Sequence, residues 1–155
     1  FNDQKLNGYN TNFKVFPPLR STADIESLKL AVKDGTIDLV TCDHNPLNIE
    51  LKDLEFENAA FGTIGLESCF GALNKLFSTK LAIQILTRGR SKFSLSSTTV
   101  SIGELADITL FNPNNDYIFS ASQILSKSKN SIFINSKLKG KVYGIISNNK
   151  LKLNV

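Results

Sequence analysis

The stretch Ile37-Asp38-Leu39-Val40-Thr41-Cys42-Asp43-His44-Asn45-Pro46 joins a short apolar run to a polar end. The run is rich in β-branched residues, which favours a strand that is covered on both faces. Pro46 cannot continue a hydrogen-bonded ladder, so the strand should end near Asp43. Enzymes built on parallel sheets hold their reacting groups at the carboxyl ends of the strands, where a carboxylate can bind a metal or transfer a proton. Asp43 is therefore the leading candidate for a functional residue, although an Asp in this position also commonly caps a turn.

The residues before this stretch predict a strand and a helix. Residues 13–16 form a short strand pattern that ends at two prolines. Ser21 or Thr22 can cap the following helix, acids occupy its first turn, and Gly35 suits its end. Residues 13–43 therefore predict the order strand, turn, helix, strand, which is typical of a parallel sheet in the α/β class.

Two further helices are predicted beyond a long polar loop. Residues 44–58 are polar by composition, and loops of this length usually serve a site or are disordered. Apolar residues at helical spacing then predict a helix that ends near Phe77. A second, shorter helix is predicted from Lys80 to Arg88, where Gly89 should end it.

The last third of the chain has the pattern of short strands. Strands are predicted at residues 108–111 and 117–119, and the sequence at 141–146 and 150–154 predicts a terminal hairpin around Ser-Asn-Asn. We therefore divide the chain into an α/β unit at residues 1–104 and a β-rich unit at residues 105–155.

Composition excludes several classes of protein. With 41% hydrophobic and 21% charged residues, the chain of 155 residues is expected to be globular rather than disordered. No apolar run approaches the roughly 20 residues of a membrane span, and no leader is visible, so we expect a cytoplasmic location.

Cys42 and Cys69 are predicted to be buried free thiols. The scattered basic residues near the end are interpreted as a solvated face rather than a nucleic-acid site, because they lack interleaved aromatics. They are Lys127, Lys129, Lys137, Lys139, Lys141, Lys150 and Lys152.

Other candidate residues leave more than one interpretation open. His44 is the single histidine and can be a ligand, a proton carrier or a loop residue, although one histidine alone makes a poor metal site. Arg20 follows a rigid turn and can bind a carboxylate ligand or hold the loop through a salt bridge. Gly62 and Gly65 can leave N–H groups free for an anion, or can permit close packing at a helix entry.

Four stretches, in this order, resemble the carboxyl-terminal part of dihydroorotases of the multifunctional-complex type, which are members of the amidohydrolase superfamily. The family patterns are Asn-Pro-Pro-Leu-Arg, Thr-Asp-His-Ala-Pro-His, Phe-Gly-x-x-Gly-x-Glu-Thr and Gly-x-x-Ala-Asp-Leu. The corresponding segments here are residues 15–20, 34–38 with 41–46, 61–68, and 103–108 with 112–113.

The resemblance implies a fold, an activity and site residues. The fold would be the last βα units of a (β/α)8 TIM barrel at residues 1–104, followed by part of a small β-sandwich domain. Asp43 would bind a metal of a binuclear zinc centre and transfer the proton. Ala60, Phe61 and Gly62 would offer backbone groups to the substrate. The reaction would be the reversible hydrolysis of dihydroorotate to carbamoyl aspartate in pyrimidine synthesis. The partner that the resemblance implies is a second copy of the chain, in a homodimer, or aspartate transcarbamoylase. No nucleic acid and no membrane would be involved.

Departures from the family patterns support a rival interpretation. Phe16 stands where the family has a substrate-binding Asn, and Leu47 stands where it has a His. The remaining metal ligands of the family have no counterpart, so we expect a fragment that is inactive by itself. The alternative is a catalytically silent homologue that serves aspartate transcarbamoylase as a structural partner. A third option is an independent α/β binding module with a basic tail.

Overall fold

The structure, a computed structural model, describes residues 1–95 and 100–153. Helices precede strands along the chain, and both are present, as the predicted α/β class requires. None of the described helices has both the length and the apolar character that crossing a bilayer demands. The elements are α1 (Thr22–Asp34), α2 (Ile49–Lys52), α3 (Cys69–Leu76), α4 (Thr79–Thr87), α5 (Gly89–Lys92), β1 (Ile108–Phe119), β2 (Ser136–Ser147) and β3 (Lys150–Leu153), with 3-10 helices at Asp3–Gly8, Thr11–Phe13 and Ala121–Gln123.

Helix α1 forms where its local signals predict it. The Ser21 side chain accepts a hydrogen bond from the Asp24 N–H, and the Asp24 carboxylate accepts one from the Ser21 N–H. This reciprocal pair is a capping box, which satisfies two donors that the helix start would otherwise leave unpaired. Gly35 ends the helix in the left-handed conformation, with φ of 88°. The predicted helix and its caps are therefore confirmed.

Two predicted strands are wrong as hydrogen-bonded strands. Residues 37–40 pair with no described strand, and residues 13–16 partly belong to a 3-10 helix. Residues 37–40 instead pack through their side chains against the helices, and the Val40 N–H donates to the Ile85 carbonyl at 3.1 Å. The apolar pattern correctly predicted contact with a core, but the pattern carries no information on a ladder partner. One isolated parallel bridge, His44 with Thr63, is recorded in the described chain.

The helices between residues 44 and 92 differ in detail from the prediction. The polar loop contains α2, a single turn that composition did not reveal. Helix α3 begins at Cys69, later than expected, and α4 occupies nearly the predicted range. Gly89 does not end the helical region, because α5 begins there.

The sheet is antiparallel, with strand order β1-β2-β3. The predicted break at Asn112–Pro113 is wrong, because β1 runs through it with register irregularities on either side. Such bulges take a proline out of the ladder, so that it costs no hydrogen bond. The predicted terminal hairpin is confirmed as far as residue 153, with Asn148 and Asn149 in the left-handed region that a tight hairpin turn requires. Asn154 lies outside the described residues.

Two apolar clusters form the core. The first lies among the helices and contains Val32, Leu73, Ala82 and Ile85. The second joins Ile64 to residues from the sheet and from the segment before β2, namely Phe119, Ile124 and Leu138. The second cluster therefore connects the two units that composition separates at residue 104, and the domain boundary itself stays a prediction.

Asn74 connects α3 to the sheet by polar contacts. Its side chain is 4% exposed. The Asn74 Nδ2 donates to the Pro113 carbonyl at 2.9 Å and to the Lys139 carbonyl at 3.0 Å, and the Thr79 hydroxyl donates to its Oδ1 at 2.7 Å. Buried amides are usually satisfied in this way, since an unpaired polar group would lower stability.

We predict that Asn74→Ala destabilises the protein by about 2 kcal/mol, because two partly buried carbonyls lose their donor. The measurement is the free energy of unfolding from chemical denaturation. The control is Asn7→Ala, because Asn7 is exposed. Equal stability of the two variants would contradict the role assigned to Asn74.

Candidate functional site

Asp43 lies exposed on the wall of a shallow cavity of about 170 Å³. Its backbone is in the left-handed region, with φ of 39°, which turns the chain at the end of the apolar segment. The carboxylate makes no hydrogen bond or ion pair with any residue that the structure describes, so it is available to a ligand. The cavity is lined by Val15, Phe16, Pro17, Thr41, Cys42, Asp43, Gly62, Thr63 and Ile132.

His44 fixes the chain immediately after Asp43. The His44 Nδ1 accepts hydrogen bonds from the N–H groups of Gly65 at 3.2 Å and Leu66 at 3.4 Å. An accepting Nδ1 places the proton of the neutral ring on Nε2. The next residue continues the attachment, because the Asn45 N–H donates to the Thr63 carbonyl at 2.9 Å. Of the interpretations open from sequence, the structure favours an anchoring role for His44.

Gly62 and Gly65 permit this close approach. A Cβ on Gly65 would lie 2.5 Å from the Cys42 carbonyl oxygen, and one on Gly62 would lie 2.7 Å from the Asn45 Nδ2. Gly62 also has φ of 140°, which side chains rarely adopt. Both N–H groups are used within the chain, by the Lys14 carbonyl and by His44. Close packing, not anion binding, is therefore the interpretation that the structure favours.

The predicted substrate loop has one free donor. The Ala60 N–H donates to the Leu51 carbonyl at 2.8 Å, and the Gly62 N–H donates to the Lys14 carbonyl at 3.1 Å. The Phe61 N–H meets no acceptor in residues 1–95 or 100–153. Of the three predicted positions, Phe61 is thus the one whose N–H has no acceptor among the described residues, and the role of all three in binding a substrate stays a prediction.

The two departures from the family patterns differ in their surroundings, because Phe16 lines the cavity and Leu47 does not. Phe16 is 72% exposed and lines the cavity, with its ring in edge contact with Phe61 at a centroid distance of 6.4 Å. Leu47 is half-buried, and its N–H donates to the Asn130 Oδ1 at 3.2 Å. Phe16 therefore presents an apolar surface where the family pattern has a hydrogen-bonding side chain.

Asn130 holds the site together but was missed from the sequence. It is 7% exposed, and its Nδ2 donates to the carbonyls of Asn45 at 3.0 Å and Gly62 at 3.4 Å. Its own carbonyl accepts from the Ile64 N–H at 2.9 Å. All of these partners are more than 60 residues away in sequence, so no local signal could have identified Asn130.

Lys52 was also missed, and it is 3% exposed although it is a lysine. Its Nζ donates to the carbonyls of Thr11, Lys14 and Ala60 at 2.7, 3.1 and 2.9 Å. Burial, together with the nearby charge of Lys14, lowers the pKa of Lys52 to about 8.

The structure places four other residues as follows. Cys42 and Cys69 are free thiols, as predicted, but only half-buried. Burial, with a smaller effect of Cys42, raises the pKa of the Cys69 thiol to about 11, which keeps it protonated and unreactive near neutral pH. Arg20 is exposed, and the salt bridge considered for it is not found among the described residues. Glu67 accepts from the N–H groups of Leu125 at 2.7 Å and Ser126 at 3.0 Å, so it holds the loop after β1.

The described residues do not form a complete metal site by themselves. In the described ranges, no three His, Cys, Asp or Glu side chains are grouped so that they could hold an ion. Asp43 offers a free carboxylate, whereas the Nδ1 of the neighbouring His44 is occupied. One carboxylate fits a shared site whose other ligands come from elsewhere, and does not by itself form a metal centre.

Comparison with known proteins identifies relatives. No protein-family model matches the chain. Curated dihydroorotases of Geobacter sp. (strain M21) and Endomicrobium trichonymphae are 36% and 41% identical over 151 and 146 residues, which is 93% and 89% of this chain. A third, from Elusimicrobium minutum, is 37% identical over 158 residues, or 97% of this chain. The matches span 36%, 35% and 37% of these relatives, so the chain spans about a third of their length. The resemblance to dihydroorotases inferred from four stretches is confirmed.

Solved structures share the fold. L-hydantoinase (dihydropyrimidinase) from Arthrobacter aurescens superposes with a TM-score of 0.84 at 20% identity, over 100% of this chain and 38% of that protein. D-hydantoinase (dihydropyrimidinase) from Thermus sp. has a TM-score of 0.75 at 19% identity, over 92% of this chain and 34% of that protein. At these identities the comparison establishes the fold alone, which the chain shares with the matched parts of the two hydantoinases.

We predict that Gly65→Ala destabilises the protein by roughly 2 kcal/mol, because the new methyl group would collide with the Cys42 backbone. The free energy of unfolding is the measurement. Gly8→Ala is the control, since a Cβ at Gly8 meets nothing within 4 Å. A neutral Gly65→Ala variant would show that residues 42 and 65 are not held in contact.

We also predict that Lys52 makes stability rise with pH between about 8 and 10.5. In this interval the unfolded chain keeps the Lys52 proton, which the folded chain has released, so raising the pH favours the folded state. The raised pKa of Cys69 has the opposite effect from pH 9.0 to about 11. The measurement is therefore the difference in unfolding free energy between the wild type and Lys52→Met across this range. A difference that is independent of pH would contradict the prediction.

Proposed function

Because the chain is similar over most of its length to part of the dihydroorotases, we propose that it is the carboxyl-terminal part of a metal-dependent cyclic amidohydrolase. The reaction is the reversible hydrolysis of dihydroorotate to carbamoyl aspartate, in pyrimidine synthesis. In this proposal, residues 1–104 belong to the last βα units of a TIM barrel and residues 105–155 to a small β-sandwich domain. The location is the cytoplasm.

The observation that carries the proposal is the state of Asp43. Its carboxylate has no partner among the residues that the structure describes and borders a cavity, while the residues on both sides of it are fixed. The following residues are attached by the hydrogen bonds of His44 and Asn45, and the preceding Cys42 is packed against Gly65. A rigid chain that presents a free acid is what preorganised acid–base chemistry requires.

Asp43 serves two purposes in the proposed reaction. It provides one ligand of a binuclear zinc centre, and its carboxylate takes a proton from the attacking water and gives it to the leaving amide nitrogen. The metal pair, when bound, supplies a Lewis acid that activates both the water and the amide carbonyl.

The substrate lies between the predicted loop and Phe16. Ala60 and Gly62 hold the loop through their own hydrogen bonds, and the Phe61 N–H donates to a polar atom of the substrate. The exposed Phe16 ring forms an apolar wall of the same cavity. Because a phenyl ring cannot replace the hydrogen bonds of an amide, substrate binding is weaker than in proteins with the family pattern.

A second candidate function is favoured by the same two departures. Phe16 and Leu47 both remove polar contacts to the substrate, whereas Asp43 is present. A silent homologue that binds aspartate transcarbamoylase as a structural partner would have this combination if its upstream metal ligands were also lost. The remaining metal ligands of the family therefore distinguish the two functions, because their presence in the complete natural chain would indicate the enzyme.

We predict that Asp43→Asn lowers kcat for dihydroorotate hydrolysis by about 10²- to 10⁴-fold, because the amide cannot transfer the proton. The assay uses the complete natural chain that contains these residues, loaded with zinc. Asp38→Asn is the control, since Asp38 is exposed and its ion pair is with the surface residue Lys92. Equal activity of Asp43→Asn and wild type would refute the assignment, and a zinc-loaded wild type without turnover would favour the silent partner.

A further inference from the structure

Lys52 has no role in the proposed reaction. It is the last residue of α2, it does not line the cavity beside Asp43, and only 3% of its surface is exposed. Lysines are rarely buried to this extent, because removing an ammonium group from water is costly. A buried lysine in a short helix therefore calls for a physical explanation.

The contacts of the ammonium group supply this explanation. Its three donors match three carbonyl acceptors, on Thr11, Lys14 and Ala60, at 2.7 to 3.1 Å. An ammonium group has three N–H bonds and accepts none, so its hydrogen-bonding capacity is filled. The three carbonyls belong to two stretches of chain that are about 45 residues apart, and Lys52 joins them at one point.

Lys14 joins the same two parts of the chain from the other side, because its side chain reaches from the first part to residues 56 and 57. Its Nζ donates to the carbonyls of Phe56 at 2.7 Å and Glu57 at 2.8 Å, in the segment that leads to the predicted substrate loop. The same ammonium lies 4.9 Å from the centre of the Phe61 ring, within the range of a cation–π contact. The Lys14 carbonyl accepts both from Lys52 Nζ and from the Gly62 N–H.

We propose that Lys14 and Lys52 are positioning residues, which together form a lysine clamp that fixes the loop at residues 60–62 against residues 11–16. The clamp sets the direction of the Phe61 N–H and the place of Phe16, the residue that follows Lys14 by two positions. The link to a substrate rests on the proposed function, whereas the clamp itself rests on the contacts of the two lysines.

The chemistry of the clamp explains why both residues are lysines. Two nearby ammonium groups repel each other, and burial adds to the cost of holding a charge at Lys52. Five backbone carbonyls, with their negative ends toward the ammonium groups, offset these costs. Because the unfavourable and favourable effects largely cancel, the free energy of global unfolding is a poor measure of the clamp. The rate at which the loop opens locally is a better measure.

The test measures amide hydrogen exchange by NMR for Lys52→Met and Lys14→Met. The matched control is Lys33→Met, since Lys33 is exposed in the last turn of α1. We expect exchange at Ala60 and Gly62 to accelerate about tenfold or more in both clamp variants. The Gly62 N–H donates to the Lys14 carbonyl, which Lys52 contacts, and the Ala60 carbonyl is itself an acceptor of Lys52, so both residues lie in the loop that the clamp holds. Exchange at Ile64 and Cys69, whose acceptors lie outside the clamp, should not change.

A double variant tests whether the two lysines act as a unit. In Lys14→Met/Lys52→Met, the acceleration at Gly62 should be smaller than the product of the two single effects, since either change already frees the loop. Multiplicative effects would mean that the lysines act separately. Acceleration to the same degree at all four amides, or at none of them, would overturn the clamp.

Kinetics of the complete zinc-loaded chain test the link to the substrate. We expect the KM for dihydroorotate to rise about tenfold in Lys52→Met with a smaller change in kcat, because the loop that orients the substrate is loosened while Asp43 is intact. An unchanged KM, together with accelerated exchange, would overturn the substrate link. If the wild type has no turnover, the proposed function fails, and the exchange experiment still decides the clamp.

Discussion

The close attachment of residues 42–45 to residues 62–65 is the constraint on which the site depends. Two glycines let the backbones approach, and His44 and Asn45 then join them by hydrogen bonds. The geometry is therefore specified by the lack of side chains on one segment and by polar groups on the other. Asp43 projects from this attachment, which explains how an exposed residue in an irregular segment can have a defined position.

The cavity is assembled from segments that are far apart in sequence. Phe16 comes from the first turn region, Asp43 from the end of the apolar segment, and Ile132 from the stretch before β2. The buried Asn130 connects the stretch before β2 to the segment of Asp43 and to the loop at Gly62, through the backbone carbonyls of Asn45 and Gly62. Because the second apolar cluster also spans this junction, the β-rich part of the chain is a structural component of the site rather than an appendage.

The sequence predicted features whose causes are local and missed those whose causes are distant. The caps of α1 and the terminal hairpin are specified by neighbouring residues, and both were found. The four resembling stretches identified the relatives, and Asp43 was placed correctly at the end of an apolar segment. By contrast, residues 37–40 form no ladder, since side-chain pattern predicts burial but not pairing. Lys52 and Asn130 were overlooked because their partners lie more than 30 residues away along the chain, except for one carbonyl, that of Ala60.

The hairpin at the end of the sheet has a consequence for self-association. Strand β3 forms an edge of the described sheet, and its residues alternate between lysine and leucine. Lys150 and Lys152 are both exposed, at alternate positions of this strand. A second copy that added its own β3 in register would bring these cations together. The charged edge therefore discourages the growth of intermolecular sheets and fibrils, although Leu151 and Leu153 are exposed beside it.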